Sequence, residues 1–497
     1  MIDNIKLANY KSFFADQVKE AIDEQQKINR SQMRNLFKTG ELSLAYVDSI
    51  QHETGMIILK CPRRMAPRLK VLKGVCIIKK GAKQALGEHV TEWICRWDEF
   101  VDNKDFHSSG SDMTPMYYVH TGDSNYDYVA CSGFSFKLYD ILSKALVDGK
   151  SLSLIVHNPF PPVEYFRNLA SYMDAFSSND ELNLEPTIDY EEWTPEELAF
   201  DEQKPTGISD TIIDTLANEH CCIVQGPPGT GKSYTIASVI SSYLDAGKTV
   251  CVTTMANKGL IELIKQKPLQ KYVKEGRVSK TNLSIDERKQ VSGVKAASAD
   301  LQVPGGEMLC ATNYQLSSVF SEKKMTLYGL PQYDLVVIEE ASQAFLTAIV
   351  AFKQLGIDCL IVGDPMQLPP IVKLNNPQYN SWNVATQVEG LKSMVLGTSI
   401  KSYRIVTTFR LTSRSASLTK CFYGNRFVSV KQDYLDFTKA NSVLFPQDGG
   451  VLYHCTLDVR NGVYSDKADA IIRDVIEKLE KFYPDRSLAI ITPLEIL

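Results

Sequence analysis

Residues 221–240 read CCIVQGPPGTGKSYTIASVI, and this stretch decides the fold. Its first four residues are apolar, as in a short buried strand, and the residues after Ser233 have the apolar spacing of a helix. Between them lies Gly226-Pro-Pro-Gly-Thr-Gly-Lys-Ser, which fits the pattern G-x-x-x-x-G-K-[ST] in the strand–loop–helix context that it requires. The stretch therefore predicts a phosphate-binding loop at the end of a strand in an α/β sheet.

The residue types of this loop suit a nucleoside triphosphate. Glycines let consecutive backbone N–H groups converge on phosphate oxygens, and the start of the following helix adds its dipole. Lys232 can reach the β- and γ-phosphates, and the Ser233 hydroxyl suits a magnesium ion. The predicted binding residues are Gly226, Pro227, Pro228, Gly229, Thr230, Gly231, Lys232 and Ser233.

Alternating apolar runs and helical patterns around the loop predict a parallel α/β sheet. The strand candidates are Cys221–Val224, Thr249–Thr253, Met308–Ala311, Leu335–Ile338 and Cys359–Val362. A second set is predicted at Ile405–Thr407, Val451–His454 and Leu488–Ile491, with a helix at Asp466–Phe482.

Carboxylates and an amide follow two of these strands. Glu339 and Glu340 come directly after Leu335–Ile338, and the carboxyl ends of parallel strands meet at one edge of a sheet. One acid is expected to hold the magnesium ion, and the next to take the proton from the attacking water. Asp364 and Gln367 follow the strand Cys359–Val362, where an amide can bond a γ-phosphate oxygen and the nucleophilic water.

Composition places few limits on function. At ~100–200 residues per domain, 497 residues suggest about three domains. A net charge of −5 gives no global attraction to nucleic acid, so such a site must be a local patch. The beginning lacks a signal peptide, and no run reaches the ~18 apolar residues of a membrane span. The eleven cysteines form no Cys-x-x-Cys pair, so we predict free thiols in the cytoplasm rather than a zinc site.

The chain before the phosphate loop predicts three further units. Residues 4–35 have helical spacing, and short strands at 42–47, 56–59 and 75–78 indicate a small barrel or sandwich. A helix is predicted at 136–146, a strand at 152–156 and a helix at 163–175. Between Asp174 and Glu202 there are eleven acidic residues and no basic one, which indicates a linker.

These patterns predict the following boundaries: a helical stalk at 1–40, a small β-barrel-like domain at 41–130, a packing segment at 131–175, an acidic linker at 176–204, an ATPase domain at 205–400 and a partial second domain at 401–497. We expect residues 1 to about 175 to form a separate appendage that guides a nucleic-acid strand.

A basic run lies on the predicted barrel. Nine Lys or Arg and no acidic residue occur between Lys60 and Lys83, among them Arg63, Arg64 and Arg68. Such a run indicates either a solvated surface or contacts to the phosphates of nucleic acid.

The motifs, in their order, resemble those of superfamily 1 helicases, in the 1B branch of the nonsense-mediated-decay helicase and senataxin. Gln225–Ser233 looks like motif I, Glu339–Ala344 like motif II and Gly363–Pro370 like motif III. Thr254–Lys258 resembles motif Ia, and Cys310–Tyr314 resembles motif Ic. In that family the last two segments touch the backbone of a single strand, which makes Asn257, Lys258 and Thr312 candidate nucleic-acid contacts.

The resemblance implies a RecA-like motor that hydrolyses ATP with Mg²⁺ and moves on single-stranded nucleic acid. Backbone contacts and base stacking serve DNA and RNA alike, so the sequence does not distinguish them, and we favour DNA. The resemblance makes Glu339 and Ser233 the metal ligands, Glu340 the general base and Gln367 a catalytic residue. Thr408-Phe-Arg-Leu resembles motif IV, so Arg410 is expected to act as an arginine finger. The helix and barrel at the beginning look like the stalk and barrel that precede this motor in the family.

The sequence also departs from the family. Glu339 stands where the family usually has Asp, and Ser209 or Asp210 falls where the adenine-reading Gln is expected. The sequence stops at Leu497, before the positions of motifs V and VI, so we expect slow hydrolysis unless a missing half or a partner chain completes the motor.

Two alternatives remain at this point. The chain could be a nucleotide-binding regulatory or scaffold protein whose incomplete motor does not unwind. It could instead be an unrelated phosphate-loop enzyme such as a kinase or transport ATPase, which Gly363–Pro370 and Arg410 argue against.

Overall fold

The computed structural model describes most of the chain from Trp193 onward and shorter pieces before it. The described residues are 4–32, 35, 43–51, 53, 56–62, 75–78, 94–95, 114–119, 125–132, 143, 153–156, 163–176, 180–184, 193–283, 285–299, 302–321, 324, 331–372, 384–431, 438–439 and 466–485.

The first part of the chain is a long helix followed by an antiparallel sheet. The helix, α1, spans Asn4–Arg30, which confirms the predicted helix apart from its last turn. Seven strands of the described chain form the sheet: β1 (Ser43–Gln51), β2 (Met56–Pro62), β3 (Val75–Ile78), β4 (Ile94–Cys95), β5 (Thr114–Val119), β6 (Tyr126–Ser132) and β7 (Ser153–Val156). Their order is β4-β3-β7-β1-β2-β6-β5.

The strand predicted at 152–156 lies in this sheet and not in a separate packing segment. β7 pairs antiparallel with β1 and β3, for instance Ala45 with Leu154 and Cys76 with Ile155. Its alternating pattern identified a strand but not its neighbours, because the pairing partners lie far away in sequence. The helix predicted at 163–175 is confirmed as α2, Glu164–Ala175. The helix predicted at 136–146 and the residues Arg63, Arg64 and Arg68 lie outside the described residues.

The second sheet is entirely parallel and carries the phosphate loop. Nine described strands form it: β8 (Glu196–Leu198), β9 (Cys221–Gln225), β10 (Val250–Thr254), β11 (Val278–Thr281), β12 (Lys295–Ala297), β13 (Met308–Thr312), β14 (Tyr333–Ile338), β15 (Gly356–Gly363) and β16 (Lys401–Ile405). Their order is β12-β11-β13-β10-β14-β15-β9-β16-β8. All five strands predicted for the first set are confirmed, and so is the α/β fold class.

Helices connect these strands and cover both faces of the sheet. They are α3 (Gly207–Glu219), α4 (Lys232–Asp245), α5 (Asn257–Ile264), α6 (Gln270–Lys274), α7 (Ile285–Gln290), α8 (Asn313–Leu316), α9 (Leu346–Lys353), α10 (Ala385–Val388) and α11 (Gly390–Gly397). Beyond the sheet lie α12 (Ser413–Leu418), α13 (Lys420–Tyr423) and α14 (Asp466–Phe482), and the paired strands β17 (Thr407–Thr408) and β18 (Val428–Ser429).

Alternate residues of each central strand enter two different cores, because successive side chains of a strand point to opposite faces. On β9, Cys222 and Val224 pack with α3, α4 and α5, whereas Ile223 packs with α1, α2 and α9. Burial on both faces explains why these strands are mainly apolar, as is typical of parallel sheets.

Helix α1 belongs to the second of these cores. Its Tyr10, Phe13 and Phe14 are buried in the same cluster as strand residues of the parallel sheet. The expectation that residues 1 to about 175 form a separate appendage is therefore wrong for α1 and α2. Their apolar faces were visible in the sequence, but the surface that covers them was not.

Two segments next to the phosphate loop lie differently from their predicted places. The strand predicted at Ile405–Thr407 is divided: Ile405 ends β16, which pairs with β9 in the first sheet, and Thr407 begins β17, which pairs with β18. Residues 196–198, predicted as linker, form the edge strand β8 beside β16. An edge strand tolerates acidic side chains because water reaches it, and the local acidity therefore hid the strand.

The remaining predictions divide between described and undescribed residues. The helix predicted at Asp466–Phe482 is confirmed as α14. The strands predicted at Val451–His454 and Leu488–Ile491 lie outside the described residues. Among the helices that are described, none combines the length and the apolarity that crossing a lipid bilayer requires.

Candidate nucleotide and strand-binding site

The phosphate loop runs from the buried strand β9 into α4. Gly229 and Gly231 have φ angles of 77° and 80°, which only glycine adopts without strain. Gly226 is required for a different reason: a Cβ there would lie 2.2 Å from Cγ of Lys232. The lysine side chain therefore crosses directly over the beginning of the loop.

The ammonium group of Lys232 is enclosed by the loop and by charged neighbours. It donates to the carbonyl oxygens of Gly226 and Pro227. Burial lowers the pKa of Lys232, the nearby carboxylates of Asp364 and Glu339 oppose that change, and Arg410 adds to it. The charged groups that shift this pKa thus belong to three of the segments predicted to form the site: the acid pair, the segment of Asp364 and motif IV.

The two acids after β14 lie in different surroundings. Glu339 is 6% exposed, and burial, with a contribution from Glu340, raises the pKa of its carboxyl to about 7. Its Oε2 is buried and has no hydrogen-bond partner among the described residues. Glu340 has a φ of 55°, which ends the strand, and burial also raises its pKa.

This arrangement fits a magnesium ion. Mg²⁺ prefers carboxylate and hydroxyl oxygens as ligands, and a buried carboxylate oxygen without a partner is costly unless a cation or a proton satisfies it. Glu339 supplies that oxygen next to Lys232, and Ser233 follows Lys232 at the start of α4.

Asp364 is the central acceptor of the third segment. It is buried and accepts hydrogen bonds from the Tyr423 hydroxyl (2.9 Å), Nε2 of Gln367 (3.1 Å) and the backbone N–H of Met366 (3.1 Å). The sequence placed both Asp364 and Gln367 at this strand end but assigned a catalytic role to Gln367 alone. The amide of Gln367 is thus attached to Asp364, and its predicted catalytic role remains a prediction.

Arg410 lies against the phosphate loop, and its role as an arginine finger remains a prediction. The Thr408 hydroxyl donates to the carbonyl of Pro228 (3.0 Å), and the Phe409 N–H donates to that of Gly229 (2.8 Å). A Cβ on Gly229 would lie 2.3 Å from Cβ of Arg410. The side chain of Arg410, an exposed residue, therefore begins next to the phosphate loop.

The residues predicted to contact a nucleic-acid strand lie next to the acid pair, at the carboxyl ends of β10 and β13. Thr254 pairs with Thr312, so β10 and β13 end side by side. Lys258 is exposed at the start of α5, and Oδ1 of Asn257 accepts a hydrogen bond from Nζ of Lys280 (2.7 Å).

The sequence missed Lys280, which is fully buried and forms an ion pair with the buried Glu287. A lysine in a short strand gave no sign that it would be enclosed. Its contact to Asn257 makes it the support of a predicted nucleic-acid contact.

Gly259 connects the two halves of the site. A Cβ at this position of α5 would lie 3.3 Å from Oε2 of Glu339. The helix that carries Asn257 and Lys258 therefore lies in contact distance of the predicted metal ligand.

Comparison with known proteins agrees with this geometry. A family model described as an AAA domain matches residues 209–373. The DNA replication ATP-dependent helicase/nuclease dna2 of Schizosaccharomyces pombe is 29% identical over 245 residues, which are 45% of this chain and 16% of that protein. Its counterpart DNA2 in Saccharomyces cerevisiae is 26% identical over 207 residues, 39% of this chain and 12% of that protein.

The chain is thus similar in sequence to ATP-dependent helicases. It spans about one sixth or less of the length of these two relatives. An arterivirus nonstructural protein 10 helicase solved with DNA matches at a TM-score of 0.27 and 15% identity over 44% of both chains, a similarity too low to establish a shared fold.

Proposed function

We propose that this chain binds ATP with Mg²⁺ at Gly226–Ser233, hydrolyses it, and uses hydrolysis to move along a single strand of nucleic acid. One observation carries the proposal: Lys232 is held in the phosphate loop, Arg410 packs on that loop, and the acid pair and Asp364 follow the next two strands of the same parallel sheet. The residues predicted to contact a nucleic-acid strand lie at the ends of β10 and β13, the next two strands of the sheet beyond β14.

Each protein group has a role in phosphoryl transfer. Lys232 leaves its carbonyl partners and neutralises the β- and γ-phosphate oxygens. Ser233 and Glu339 hold Mg²⁺, which neutralises charge that develops on the phosphates. Glu339 is one methylene longer than the aspartate that the family usually has at this position.

Glu340 is the proposed general base. It takes the proton of a water molecule that attacks the γ-phosphorus, while the bond from that phosphorus to the bridging oxygen breaks and ADP leaves. A carboxylate with a raised pKa is a better proton acceptor near neutral pH, because base strength rises with pKa. Arg410 offsets the negative charge that the transition state spreads over the phosphate oxygens, and Gln367 orients the water from its bond to Asp364.

The proposed track is a single strand of DNA rather than RNA. The two fungal relatives carry names that describe DNA replication helicases, which supports DNA. Lys258 supplies a positive charge, and Asn257 and Thr312 supply polar contacts to a sugar–phosphate backbone. Because the whole chain carries a net charge of −5, these contacts must act locally.

A reducing compartment such as the cytoplasm suits the thiols. Cys221, Cys222, Cys251, Cys310, Cys359 and Cys61 are free and buried, and Cys421 is free and exposed. Disulfides are rare in the cytoplasm, where thiols are kept reduced.

The test measures ATP binding by calorimetry and steady-state hydrolysis by residues 1–497, with and without single-stranded DNA or RNA. We expect Lys232→Ala to abolish magnesium-dependent ATP binding, because no other described ammonium group lies in the loop. Lys248→Ala, at the exposed far end of α4, is the matched control and should bind as the wild type does.

Unchanged ATP affinity in a folded Lys232→Ala protein would contradict the site. Tight ATP binding without any turnover, on DNA or RNA, would instead favour a nucleotide-binding regulatory or scaffold protein over a motor.

A further inference from the structure

Tyr314 places a half-exposed aromatic ring at the carboxyl ends of the parallel strands, beside the residues proposed to contact the nucleic-acid strand. It is 46% exposed and follows Thr312 and Asn313 at the carboxyl end of β13. Oδ1 of the fully buried Asn313 accepts a hydrogen bond from the Thr253 hydroxyl (2.7 Å). Because Asn313 is tied inward to β10, the next residue in α8 points out of the protein.

The ring of Tyr314 is held from behind by another ring. The centroid of Tyr165 in α2 lies 4.8 Å from that of Tyr314. Tyr165 is 2% exposed and also contacts Phe166 and Phe345. A hydrogen bond from Nδ2 of Asn168 to the Ser317 hydroxyl (3.1 Å) attaches α2 to the same segment. The Tyr314 ring is therefore held on one side by Tyr165, at an interplanar angle of 43°, while about half of the residue remains exposed.

The hydroxyl of Tyr165 plays no part in this support. It is buried without a hydrogen-bond partner among the described residues, although such a group usually finds one. Burial raises the pKa of the Tyr314 hydroxyl, which agrees with a side chain that is only half exposed. The contact between the two side chains is thus one of rings, and phenylalanine should serve as well as tyrosine at position 165.

We propose that the exposed face of Tyr314 stacks on an unpaired base of the bound strand, and that Tyr165 is a positioning residue that holds the ring in place. The inference rests on the proposed function, since it adds a base contact to the backbone contacts of Asn257, Lys258 and Thr312. Stacking tolerates every sequence, because each base has an aromatic face. A motor that moves along any strand needs that tolerance.

The binding experiment compares two fluorescent oligonucleotides of equal length and charge: oligo(dT) and a baseless deoxyribose-phosphate strand. Replacing an aromatic platform weakens binding by roughly 5- to 150-fold per stacked base. We expect Tyr314→Leu to lose affinity for oligo(dT) in that range and to bind the baseless strand as the wild type does. Tyr314→Phe keeps the ring and should retain most of the affinity for oligo(dT).

The positioning role has its own pair of variants. Tyr165→Phe should bind oligo(dT) normally, whereas Tyr165→Leu should lose part of the affinity for oligo(dT) and none for the baseless strand. ATP binding at the phosphate loop, measured in parallel, shows that each variant is folded. A general loss of structure would lower the affinities for ATP and both strands together.

The outcomes separate the two proposals. If the wild type binds neither oligonucleotide, the proposed function fails. If the wild type binds both and Tyr314→Leu binds both equally well, Tyr314 is a surface tyrosine and the stacking proposal is overturned. Equal losses of affinity for both strands in a folded Tyr314→Leu protein would also overturn it, because the contact would then be to the backbone.

Discussion

Glu339 and Glu340 are adjacent, yet the backbone gives their carboxylates different tasks. The N–H of Glu339 still donates to the carbonyl of Thr253 (2.9 Å), so this residue continues the pairing of β14 with β10. Glu340 has a φ of 55° and turns the chain away from the sheet. One acid is thus fixed to the rigid sheet, as a metal ligand should be, and the other leads into the turn Ala341–Gln343.

Glu340→Gln should abolish the base while leaving the shape of the site intact. We expect turnover to fall by ~10²–10⁴, the usual contribution of general-base catalysis. ATP binding with Mg²⁺ should be retained, whereas the matched variant Glu339→Gln should lose the magnesium-dependent part of that affinity. Single-turnover hydrolysis and calorimetry measure the two effects. Normal turnover in Glu340→Gln would reassign the base.

Gly229 offers a sharper test of how motif IV fits the phosphate loop. Its φ of 77° disfavours any other residue, and a Cβ would lie 2.3 Å from Cβ of Arg410. Gly247 has a similar φ of 73°, but a Cβ there meets nothing within 4 Å. An alanine would therefore be strained in the same way at both positions, but only at position 229 would it also collide with Arg410.

We expect Gly229→Ala to displace Arg410 and to reduce ATP turnover at least tenfold, whereas Gly247→Ala should hydrolyse ATP normally. Backbone strain of ~1–3 kcal/mol should lower the unfolding free energy of both variants. Denaturant unfolding and steady-state hydrolysis separate the shared effect from the specific one. Equal turnover in the two variants would show that the position of Arg410 does not matter to the reaction.

Single residues were predictable where the chemistry depends on adjacent positions in the chain. The phosphate loop and the acid pair are contiguous, so their residue types could be interpreted directly. The buried acceptor role of Asp364 was not predicted, and Lys280 was not predicted at all, because what defines both residues is enclosure by distant segments. Asp364 acquires Tyr423 from α13, and Lys280 acquires Asn257 from α5.

Among the elements, strands with two buried faces were found and strands at the sheet margins were not. The five central strands each contain a run of at least three consecutive apolar residues, whereas β8, β11 and β12 are short and contain Glu or Lys. Neighbours in a parallel sheet are chosen by the crossover connections, which local patterns do not encode. That is why β16 was assigned to a second set although it pairs with β9.

The marginal strand β11 leads to a prediction about the buried pair of Lys280 and Glu287. Nζ of Lys280 lies 3.3 Å from Oε2 of Glu287 and 2.7 Å from Oδ1 of Asn257. Removing one partner of a buried pair leaves an uncompensated charge, which typically costs ~3–5 kcal/mol. We expect Lys280→Met to lower the unfolding free energy by that amount.

The double variant Lys280→Met with Glu287→Leu is the control for this pair. It removes both charges, so it should be more stable than Lys280→Met alone in denaturant unfolding. If the second substitution instead destabilises the protein further, Glu287 contributes through other contacts and the pair is not the source of the effect.

The molecule as a whole is built around two cores, one on each face of the parallel sheet. Helices α3, α4 and α5 cover one face, and α1 and α2 help to cover the other. The sequence predicted both the sheet and the helix α1 but assigned them to separate bodies. An amphipathic helix shows that it has a partner surface, and nothing in its own residues says which surface that is.

Phe13 tests whether α1 is part of the motor's stability. It is 1% exposed, and its ring lies 5.7 Å, centroid to centroid, from that of Phe345, which follows the acid-pair segment. Removing a buried phenylalanine side chain typically costs ~3–5 kcal/mol. We therefore expect Phe13→Ala to lower two denaturation midpoints together: the midpoint followed by ATP binding and the midpoint followed by the spectroscopic signal of the helices. Ile5→Ala is the control on the same helix, because Ile5 is 69% exposed and should change stability by less than ~0.5 kcal/mol.

The decisive comparison is between the two signals in Phe13→Ala. If α1 were an independent appendage, Phe13→Ala would lower only the midpoint followed by the helical signal. The midpoint followed by ATP binding would keep its wild-type value. Because Phe13, Phe14 and Phe345 are buried in one cluster with residues of β14, opening that cluster exposes the face of the sheet behind the acid pair. The two midpoints should therefore move together, which would make the stalk helix a structural part of the nucleotide site.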